Sequence, residues 1–549
     1  MEILETQSLF AENPIAAPET DQQRPRGTSD DVSGAFSIEN FSSASALSST
    51  HEDAEGWLAY LNRFQPSNFH YRDGGVAVWA YEEDYDNWED TYGMDACLAV
   101  YHSGHGNMAA DGTFQAPMGA HWGGLGDWAY SSRMHLGNEQ ANYIFWSTCL
   151  SLRVHEGHDP VRTWHGANRG FRMLFGFETT SVDRPEYGRW FWEEWNAGDS
   201  LSRAWLDASW RISTNQAPSV VACGANSEEA AHRLYNERNL EWAHASNAWY
   251  QWTWYDVARE PGGMQERNLE LPRDLLVAEL RPVDLNRQRM QRIIERHDVD
   301  LPLPQPGDAF GGPAASEHND ARLGFRPNGS YDLRVARPNI DNHDQITLDQ
   351  ARAQAREAVT ARGLDADLDL AFDRVRRTMT AGRPSEASTP AGAQDLEVLQ
   401  QPHAVETTVQ FRQTINGLPV VTPGRGQVRV TVDNEGTVTR LHDSTRGIDR
   451  LTDRPKTTTA TPGTDGPVIR ARAVDGGIER LLSGHWRDRM QVAAGRGAAP
   501  LSAVVVPGST EVGYDIRGNN ARLVAHRELE VDFGDGLRKR YQVVAPILE

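Results

Sequence analysis

His105 and Cys149 are the residues best suited to catalysis, and each lies where an apolar run ends. The run "CLAVY" leads into "HSGHG" at residues 102–106, and the run "YIFWST" leads into Cys149. A cysteine attacks as its thiolate and therefore needs a nearby base or a lowered pKa. A histidine beside it accepts the thiol proton and later protonates the leaving amine. The two residues together predict nucleophilic catalysis by a thiol.

The glycines on either side of His105 suit the same chemistry. Gly104 and Gly106 allow the backbone to turn sharply and a substrate carbonyl to approach it closely. We expect the backbone N–H groups of Gly106 and Cys149 to face the oxyanion that develops during attack.

Short apolar runs that alternate with longer amphipathic stretches must position these residues. The runs cover residues 75–81, 96–102, 142–148, 171–177 and 218–224. This alternation predicts an α/β fold, with a mainly parallel sheet flanked by helices on both faces. Sites in such sheets form at the carboxyl ends of the strands, which is where His105 and Cys149 fall.

Several of these segments resemble a known group of enzymes. "YHSGHG" resembles the "YSGHG" signature of metacaspases, and "FWSTC" stands where those enzymes place their catalytic cysteine. "RGFRMLFGFETT" resembles the next strand of the gingipain-like bacterial branch. Over about residues 55–260 the chain therefore resembles the caspase–haemoglobinase fold cysteine peptidases. The resemblance implies a cysteine endopeptidase that works through a thioacyl-enzyme, with Cys149 as nucleophile and His105 as general base and acid.

The primary specificity pocket departs from that group. Its best-known members carry Asp, Glu or Gln two residues before the cysteine, where this chain has Ser147. A serine hydroxyl offers a basic side chain one neutral hydrogen bond, worth only about 0.5–1.5 kcal/mol. Glu178 and Asp183, just after the strand at residues 171–177, are the candidates to replace the missing carboxylate. Without them, we expect small or uncharged residues before the cut.

The chain divides by composition into four regions. Residues 1–50 form a loosely ordered lead-in, and residues 51–265 form the caspase-like domain. Residues 266–343 are a linker with a helical segment. Residues 344–549 are predicted to form a separate α+β region, which begins with a helix over 347–379 and continues in strands.

The C-terminal region carries a second resemblance. "VQFRQTINGLPV" and "GQVRVTVDNEGTVTRL" are similar to FTP/PepSY propeptide-type modules of secreted metallopeptidases. Such modules fold beside a peptidase and inhibit or chaperone it, so the resemblance implies that this region restrains the front domain. A general α+β interaction domain is the alternative.

Composition limits the partners and the compartment. The net charge of −23 argues against nucleic acid and against an anionic membrane as partners. The resemblance to cysteine peptidases implies a protein or peptide substrate. No cofactor is expected. Three cysteines in 549 residues do not form a disulfide framework, and no secretory signal is visible at the N-terminus. We therefore expect a cytoplasmic protein.

Other interpretations stay open. His102, His105 and Cys149 are possible zinc ligands, but their spacing is not compact and a fourth ligand is missing. The acidic run at residues 82–90 is a calcium candidate, although a solvated loop is the simpler interpretation. A catalytically silent scaffold and a cysteine transpeptidase or ligase are the alternatives to a peptidase. Cys97 and Cys223 are expected to be core residues, like His102.

Overall fold

The computed structural model describes most of the chain, and a mixed sheet of fifteen strands forms its centre. The residues that it describes are 12–17, 31–83, 88–257, 276–283, 287–302, 315–318, 320–326, 328–385, 401–453, 478–480, 482–487 and 500–547. The molecule has the α/β architecture that the sequence predicts.

The front part of the chain alternates strands and helices. Its elements are β1 (Ser33–Ser37), α1 (Thr50–Leu61), β2 (Phe69–Arg72), α2 (Trp88–Tyr92), β3 (Ala99–Ser103), β4 (Asn107–Met108), β5 (Phe114–Trp122), β6 (Gly126–Tyr130), β7 (Tyr143–Ser147), α3 (Pro160–Trp164), β8 (Met173–Phe177), α4 (Tyr187–Asn196), α5 (Leu201–Ile212), β9 (Pro218–Gly224), α6 (Ser227–Asn236) and β10 (Trp249–Val257).

The rest of the described chain is mostly strand. Its elements are β11 (Leu276–Leu280), α7 (Arg287–His297), β12 (Ala315–His318), β13 (Ala321–Phe325), β14 (Tyr331–Arg334), α8 (Leu348–Ala361), β15 (Asp369–Pro384), β16 (His403–Ile415), β17 (Leu418–Pro419), β18 (Gln427–Asp433), β19 (Val438–Asp443), β20 (Ile448–Asp453), β21 (Ser502–Val505), β22 (Glu511–Arg517), β23 (Asn520–Gly534) and β24 (Leu537–Pro546).

The fifteen-stranded sheet changes from parallel to antiparallel along its width. Strands β2, β1, β3, β7 and β8 are neighbours in that order and run parallel. From β8 onward, through β9, β10, β15 and the strands beyond, every pairing is antiparallel. The prediction of a mainly parallel sheet therefore holds only for the five strands that include β3 and β7.

Burial on both faces explains why the central strands are almost wholly apolar. Successive residues of β7 face opposite sides: Ile144 joins one hydrophobic cluster, and Phe145 joins the cluster on the other face. Val100 and Tyr101 alternate in the same way on β3. Helices α1, α4 and α5 contribute tryptophans to the second cluster, such as Trp57 on α1. A strand covered on both faces has no polar alternation, so it appears in the sequence as a continuous apolar run.

The C-terminal region is not separate from the front part, contrary to the sequence-based expectation. Residues 249–257 of β10 pair antiparallel with residues 376–384 of β15, so one sheet crosses the expected boundary near 265. The predicted linker also contains strands β11–β14. The physical reason is that β10 would otherwise be an exposed sheet edge, and β15 satisfies its backbone groups.

A buried charge cluster reinforces this junction. Asp207 on α5 accepts hydrogen bonds from Arg376 (2.9 Å) on β15 and from Arg429 (3.3 Å) on β18. Arg203 on α5 completes the cluster with a 2.8 Å contact to Asp207. These positive charges, working against burial, hold the pKa of Asp207 well below its usual value. The front part and the C-terminal region thus share a core of paired charges.

A second sheet of six strands carries the last hairpin of the chain. Strand β23 pairs with β24 from Val524 opposite Pro546 to Gly534 opposite Leu537. We call β23, β24 and the turn between them the C-terminal hairpin. Its tip reaches the front part of the molecule, where Arg540 forms a parallel bridge with Val182.

Three local predictions are corrected by the structure. The helix expected over 347–379 ends at Ala361, because Gly363 takes a left-handed conformation (φ +60°) and residues 369–384 enter the sheet as β15. The run at 75–81 forms short turns rather than a strand. The lead-in contains β1, which is buried between β2 and β3, while residues 1–11 and 18–30 lie outside the described residues. No described helix combines the length and apolar character that a membrane crossing requires.

Candidate active site

His105 and Cys149 lie at the same edge of the sheet, on neighbouring strand ends. Strands β3 and β7 pair in parallel, with Ser103 opposite Ser147 as the last pair in register. Each candidate residue follows two positions later, so the parallel register delivers both to equivalent places. The side chains of His105 and Cys149 are fully buried.

Gly106 makes the close passage between these two strand ends possible. A Cβ atom at this position would lie 2.8 Å from the carbonyl oxygen of Cys149 and 2.9 Å from Cβ of Thr148. The segment after His105 therefore runs directly against the peptide that carries the cysteine. Glycine is needed here because any side chain would force the two segments apart.

The contacts of His105 define the tautomer and the protonation state of its ring. Its Nε2 atom lies 3.0 Å from the carbonyl oxygen of Ser45. Because a carbonyl oxygen can only accept a hydrogen bond, Nε2 must carry the ring proton. Its Nδ1 atom is buried and has no hydrogen-bond partner among the described residues. Burial, and then the positive charge of Lys539, lower the pKa of His105 to about 3. The ring is therefore neutral, with the lone pair of Nδ1 available to accept a proton.

The thiol of Cys149 is surrounded by two segments that are distant in sequence. The backbone N–H of Ser181 donates to Sγ at 3.3 Å, and the Ser181 hydroxyl lies 3.5 Å from it. The thiol itself donates to the carbonyl oxygen of Arg538 at 3.0 Å. Arg538 belongs to the C-terminal hairpin, so the hairpin reaches the reacting sulfur.

Backbone hydrogen bonds fix the hairpin in the cleft. The N–H of Arg540 donates to the carbonyl oxygen of Ser181 at 3.0 Å, and the N–H of Asp183 donates to the carbonyl oxygen of Arg540 at 2.8 Å. Phe533 adds an edge-on contact with the His105 ring, at 5.3 Å between centroids. Residues 538–540 thus lie as an added strand across the candidate site.

Lys539 places its ammonium group inside the site. Its Nζ atom donates to the Ser181 hydroxyl at 3.0 Å and to the carbonyl oxygen of Gly104 at 3.4 Å. The residue is 3% exposed. No described carboxylate lies within ion-pair distance of this ammonium, so neutral oxygens alone hold it. Burial of a charge with so little compensation is costly, so the other contacts of the hairpin must offset that cost.

Asp53 lies beneath the two strand ends and ties them together. Its Oδ2 atom accepts hydrogen bonds of 2.8 Å from both Ser103 and Ser147, and its Oδ1 atom accepts from Tyr101 OH and the Gly188 N–H, each at 2.8 Å. Burial raises the pKa of Asp53 to about 6, and these hydrogen bonds oppose the rise. The carboxyl group therefore sets the alignment of β3 with β7.

The three pocket candidates from the sequence are all engaged elsewhere. Ser147 donates to Asp53, as described above. Glu178 accepts from the Val154 N–H and lies 3.3 Å from His155. Asp183 accepts from the N–H (3.1 Å) and hydroxyl (2.9 Å) of Ser48. None of the three contacts the ammonium of Lys539, whose partners Gly104 and Ser181 come from neighbouring loops.

The remaining sequence candidates are structural in this fold. His102 is fully buried, and its Nδ1 atom lies 2.7 Å from Tyr81 OH. Cys97 and Cys223 are buried, and burial raises the pKa of Cys223. Within the described residues, His102, His105 and Cys149 do not gather their ligand atoms as a zinc site requires.

The acidic run at 82–90 is not a solvated loop, although residues 84–87 lie outside the described residues. Glu82 and Glu89 are fully buried, and Asp90 is 7% exposed. Ligand atoms of Glu83, Glu89 and Asp90 lie within 4.8 Å of one another. Burial and the neighbouring negative charges, Asp95 first, raise the pKa of Glu89 to about 11, so this carboxyl group is protonated at neutral pH.

Comparison with known proteins adds one relationship. A family model described as a domain of unknown function (DUF6345) matches residues 35–248, from the middle of β1 to the residue before β10. The matched stretch contains His105, Cys149, Asp53 and Ser181. No curated protein matches the chain.

Three site residues escaped the sequence analysis: Asp53, Ser181 and Lys539. Asp53 lies on the apolar side of α1, where only the tertiary structure gives it partners. Ser181 follows β8 without any distinguishing motif. Lys539 had a weak signal, because it is one of two lysines in a chain that otherwise uses arginine.

Proposed function

We propose that this chain is a caspase-like cysteine peptidase that is held closed by its own C-terminal hairpin. The observation that carries the proposal is the placement of Cys149 and His105 on adjacent parallel strand ends, with the Nδ1 lone pair of a neutral histidine available as base. The order of the two motifs along the chain, and their resemblance to metacaspase and gingipain-like segments, supports the same class.

The reaction follows from these groups. His105 Nδ1 takes the proton of the Cys149 thiol, and the thiolate sulfur forms a bond to the carbonyl carbon of the substrate. Backbone N–H groups of Gly106 and Cys149 stabilise the oxyanion. The imidazolium then returns its proton to the leaving amine as the C–N bond breaks, which leaves a thioester. Water, deprotonated by the same histidine, hydrolyses that thioester.

The hairpin suppresses this reaction in two ways. It excludes substrate, because residues 538–540 occupy the cleft and leave Cys149 without solvent exposure. It also weakens the base, because burial beneath the hairpin, and then the positive charge of Lys539, lower the pKa of His105. Departure of the hairpin therefore restores both access and proton affinity.

The hairpin resists cleavage because of how it presents its peptide. The carbonyl oxygen of Arg538 points to the thiol and accepts its hydrogen bond at 3.0 Å. In a productive complex that oxygen faces the oxyanion donors, and the carbonyl carbon faces the sulfur. The thiol proton is also held by the hairpin rather than by His105. Residues 538–540 thus act as an occupant and not as a substrate.

The position of Lys539 is relevant to which residue the enzyme binds before the cleaved bond. The expectation from Ser147 alone is a small or uncharged residue before the cut. The hairpin instead seats a lysine against Gly104 and Ser181. Cleavage of a peptide library by the Arg540→Pro variant would show whether the enzyme prefers a small or uncharged residue, or a lysine, before the cut.

The function is tested with a peptidyl electrophile that labels active-site thiols. We expect slow labelling of the wild-type chain, fast labelling of an Arg540→Pro variant at Cys149, and none after a further Cys149→Ala change. Adding His105→Gln to Arg540→Pro should slow labelling and peptide cleavage without unfolding the protein. A folded Arg540→Pro variant that neither labels nor cleaves would instead support a silent scaffold.

A further inference from the structure

We propose that a basic cavity in the C-terminal region binds a small anion that carries two or more phosphate groups. The cavity has a volume of about 350 Å³ and lies between α7, the chain that follows β11 and the chain that precedes β20. Five arginines line it: Arg281, Arg289, Arg292, Arg296 and Arg446. We call it the arginine cavity, and the proposal is independent of the peptidase activity.

One wall of the arginine cavity is a single face of α7. Arg289, Arg292 and Arg296 are spaced by three and four residues, which places them on the same side of a helix. Met290 and Ile293 on this helix are buried and anchor it to the sheet. Nη2 of Arg289 donates to the carbonyl oxygen of Gly329 at 2.7 Å, so α7 presents three cationic side chains on one face, of which Arg289 is held by a backbone oxygen.

The opposite wall is held by the backbone. The N–H of Arg281 donates to the carbonyl oxygen of Gly447 at 2.9 Å, and Nε of Arg446 donates to the carbonyl oxygen of Arg281 at 3.1 Å. Arg446 is 8% exposed. Nη2 of Arg446 also donates to Oδ1 of Asn519 at 2.8 Å, so neutral oxygens hold this guanidinium, while the contacts of Arg281 fix its backbone.

A single carboxylate of the described lining, Asp443, offsets part of the positive charge of the cavity: burial raises its pKa, and the charges of Arg289 and Arg296 are among the groups that oppose the rise. Arg281, Arg292 and Arg296 have no carboxylate within ion-pair distance among the described residues. Asp443 is the one carboxylate of the described lining, and it already accepts from the N–H (2.8 Å) and hydroxyl (2.6 Å) of Thr445. Burial, followed by the positive charges of Arg425 and Arg289, lowers the pKa of Arg446.

This arrangement contrasts with the rest of the molecule. The chain carries a net charge of −23, and its buried arginines elsewhere are paired, as Arg376 and Arg429 are with Asp207. Arg281, Arg292 and Arg296 gather positive charge without an ion-pair partner among the described residues, and like charges repel one another, so an anion bound between them would relieve that repulsion.

Guanidinium chemistry and the size of the cavity identify the ligand class. The planar fork of arginine binds phosphate oxygens in bidentate fashion. Five cations exceed the charge of one phosphate, and a volume of about 350 Å³ is in the range of small-molecule sites. A diphosphate group, alone or on a small organic molecule, satisfies both conditions.

Calorimetric titration of the full-length chain with inorganic pyrophosphate, at constant ionic strength, tests the proposal. We expect saturable binding with one site per chain. The double variant Arg292→Ala/Arg296→Ala should bind at least about tenfold more weakly, since each lost charge-assisted contact contributes about 1.5–3 kcal/mol. The double variant Arg450→Ala/Arg487→Ala removes the same charge outside the cavity and should bind like wild type.

Three results would overturn the inference. They are the absence of saturable binding to the wild-type chain, binding that survives in Arg292→Ala/Arg296→Ala, and equal weakening in both double variants. The last result would show a general effect of net charge rather than a site. Circular dichroism of each variant confirms that a loss of binding does not come from unfolding.

Discussion

The thiol of Cys149 donates a hydrogen bond of 3.0 Å to the carbonyl oxygen of Arg538, a residue 389 positions further along the chain. This contact joins the strand end that supplies the candidate nucleophile to the C-terminal hairpin. Because the two partners come from opposite parts of the sequence, the state of the site depends on whether the hairpin stays docked.

The first prediction concerns the backbone of Arg540. Its N–H and carbonyl both point to residues 181–183, so Arg540→Pro removes the hydrogen bond to Ser181 and leaves the ladder with β23 intact. Loss of this bond, with the added clash of the proline ring, should raise the alkylation rate of Cys149 by about tenfold. Arg540→Ala loses the guanidinium contacts with Asn215 and Glu530, as the proline variant does, but it keeps the N–H and should therefore have a smaller effect. Equal rates in both variants would contradict a docking role for the backbone.

The second prediction ranks the three thiols. All three cysteines are buried, so native wild-type protein should react slowly with iodoacetamide at every one of them. In the Arg540→Pro variant only Cys149 should react quickly, because Cys97 and Cys223 are packed within a hydrophobic cluster that the hairpin does not cover. Peptide mapping after brief labelling measures this. Faster modification of Cys97 or Cys223 would contradict the site assignment.

The third prediction is a pH dependence from Asp53. Its pKa rises from 3.8 to about 6 on folding, so between these values the folded state binds more protons than the unfolded state. Stability therefore falls as pH rises through this window, by about 3 kcal/mol at most from this group. Asp53→Asn cannot titrate, and its stability should fall less between pH 4 and pH 6. Urea unfolding of both proteins at several pH values tests this, and parallel curves would refute it.

The fourth prediction tests the close approach at Gly106. In Gly106→Ala the new methyl group would lie 2.8 Å from the Cys149 carbonyl oxygen and from the Phe114 ring. We expect a loss of about 1–3 kcal/mol in the free energy of unfolding, as for overpacked cores. Gly166→Ala is the matched control, because a methyl group there meets nothing within 4 Å. Similar stabilities of the two variants would show that the strand ends have room to separate.

The fifth prediction concerns the charge cluster between α5 and the C-terminal strands. Asp207→Asn leaves the buried guanidinium groups of Arg203, Arg376 and Arg429 without their shared carboxylate. Breaking a buried pair in this way costs about 3–5 kcal/mol. Asp349→Asn, at an exposed pair with Arg352, should cost almost nothing. Thermal unfolding compares them, and a mild effect of Asp207→Asn would mean that the two parts are joined mainly by the sheet.

The same junction changes the expected behaviour of a truncated chain. A fragment that ends near residue 265 loses β15 and exposes the edge of β10 along nine residues of ladder. The fragment also lacks Arg376 and Arg429, which pair with the buried Asp207. Variants of the full chain, such as Arg540→Pro, are therefore the better route to an opened site.

The sequence by itself determined the elements around the candidate dyad. Continuous apolar runs specified strands β3, β7, β8 and β9, because strands buried on both faces have no polar alternation. The polar residues after β3 and β7 marked the sheet edge, because polar side chains are unfavourable inside a strand that is buried on both faces. Short-range patterns of this kind depend only on neighbouring residues.

Only the tertiary structure decided how the site is completed. The partners of Cys149, His105 and Asp53 are Arg538, Ser45 and Gly188, among others, and these contacts cross 60 to 389 positions of sequence. No local pattern encodes a contact of that separation, because its energy depends on where whole strands and helices pack. For the same reason the sequence predicted a separate C-terminal region. In the structure, β15 pairs with the edge of β10 and joins that region to the front sheet, and the hairpin covers Cys149.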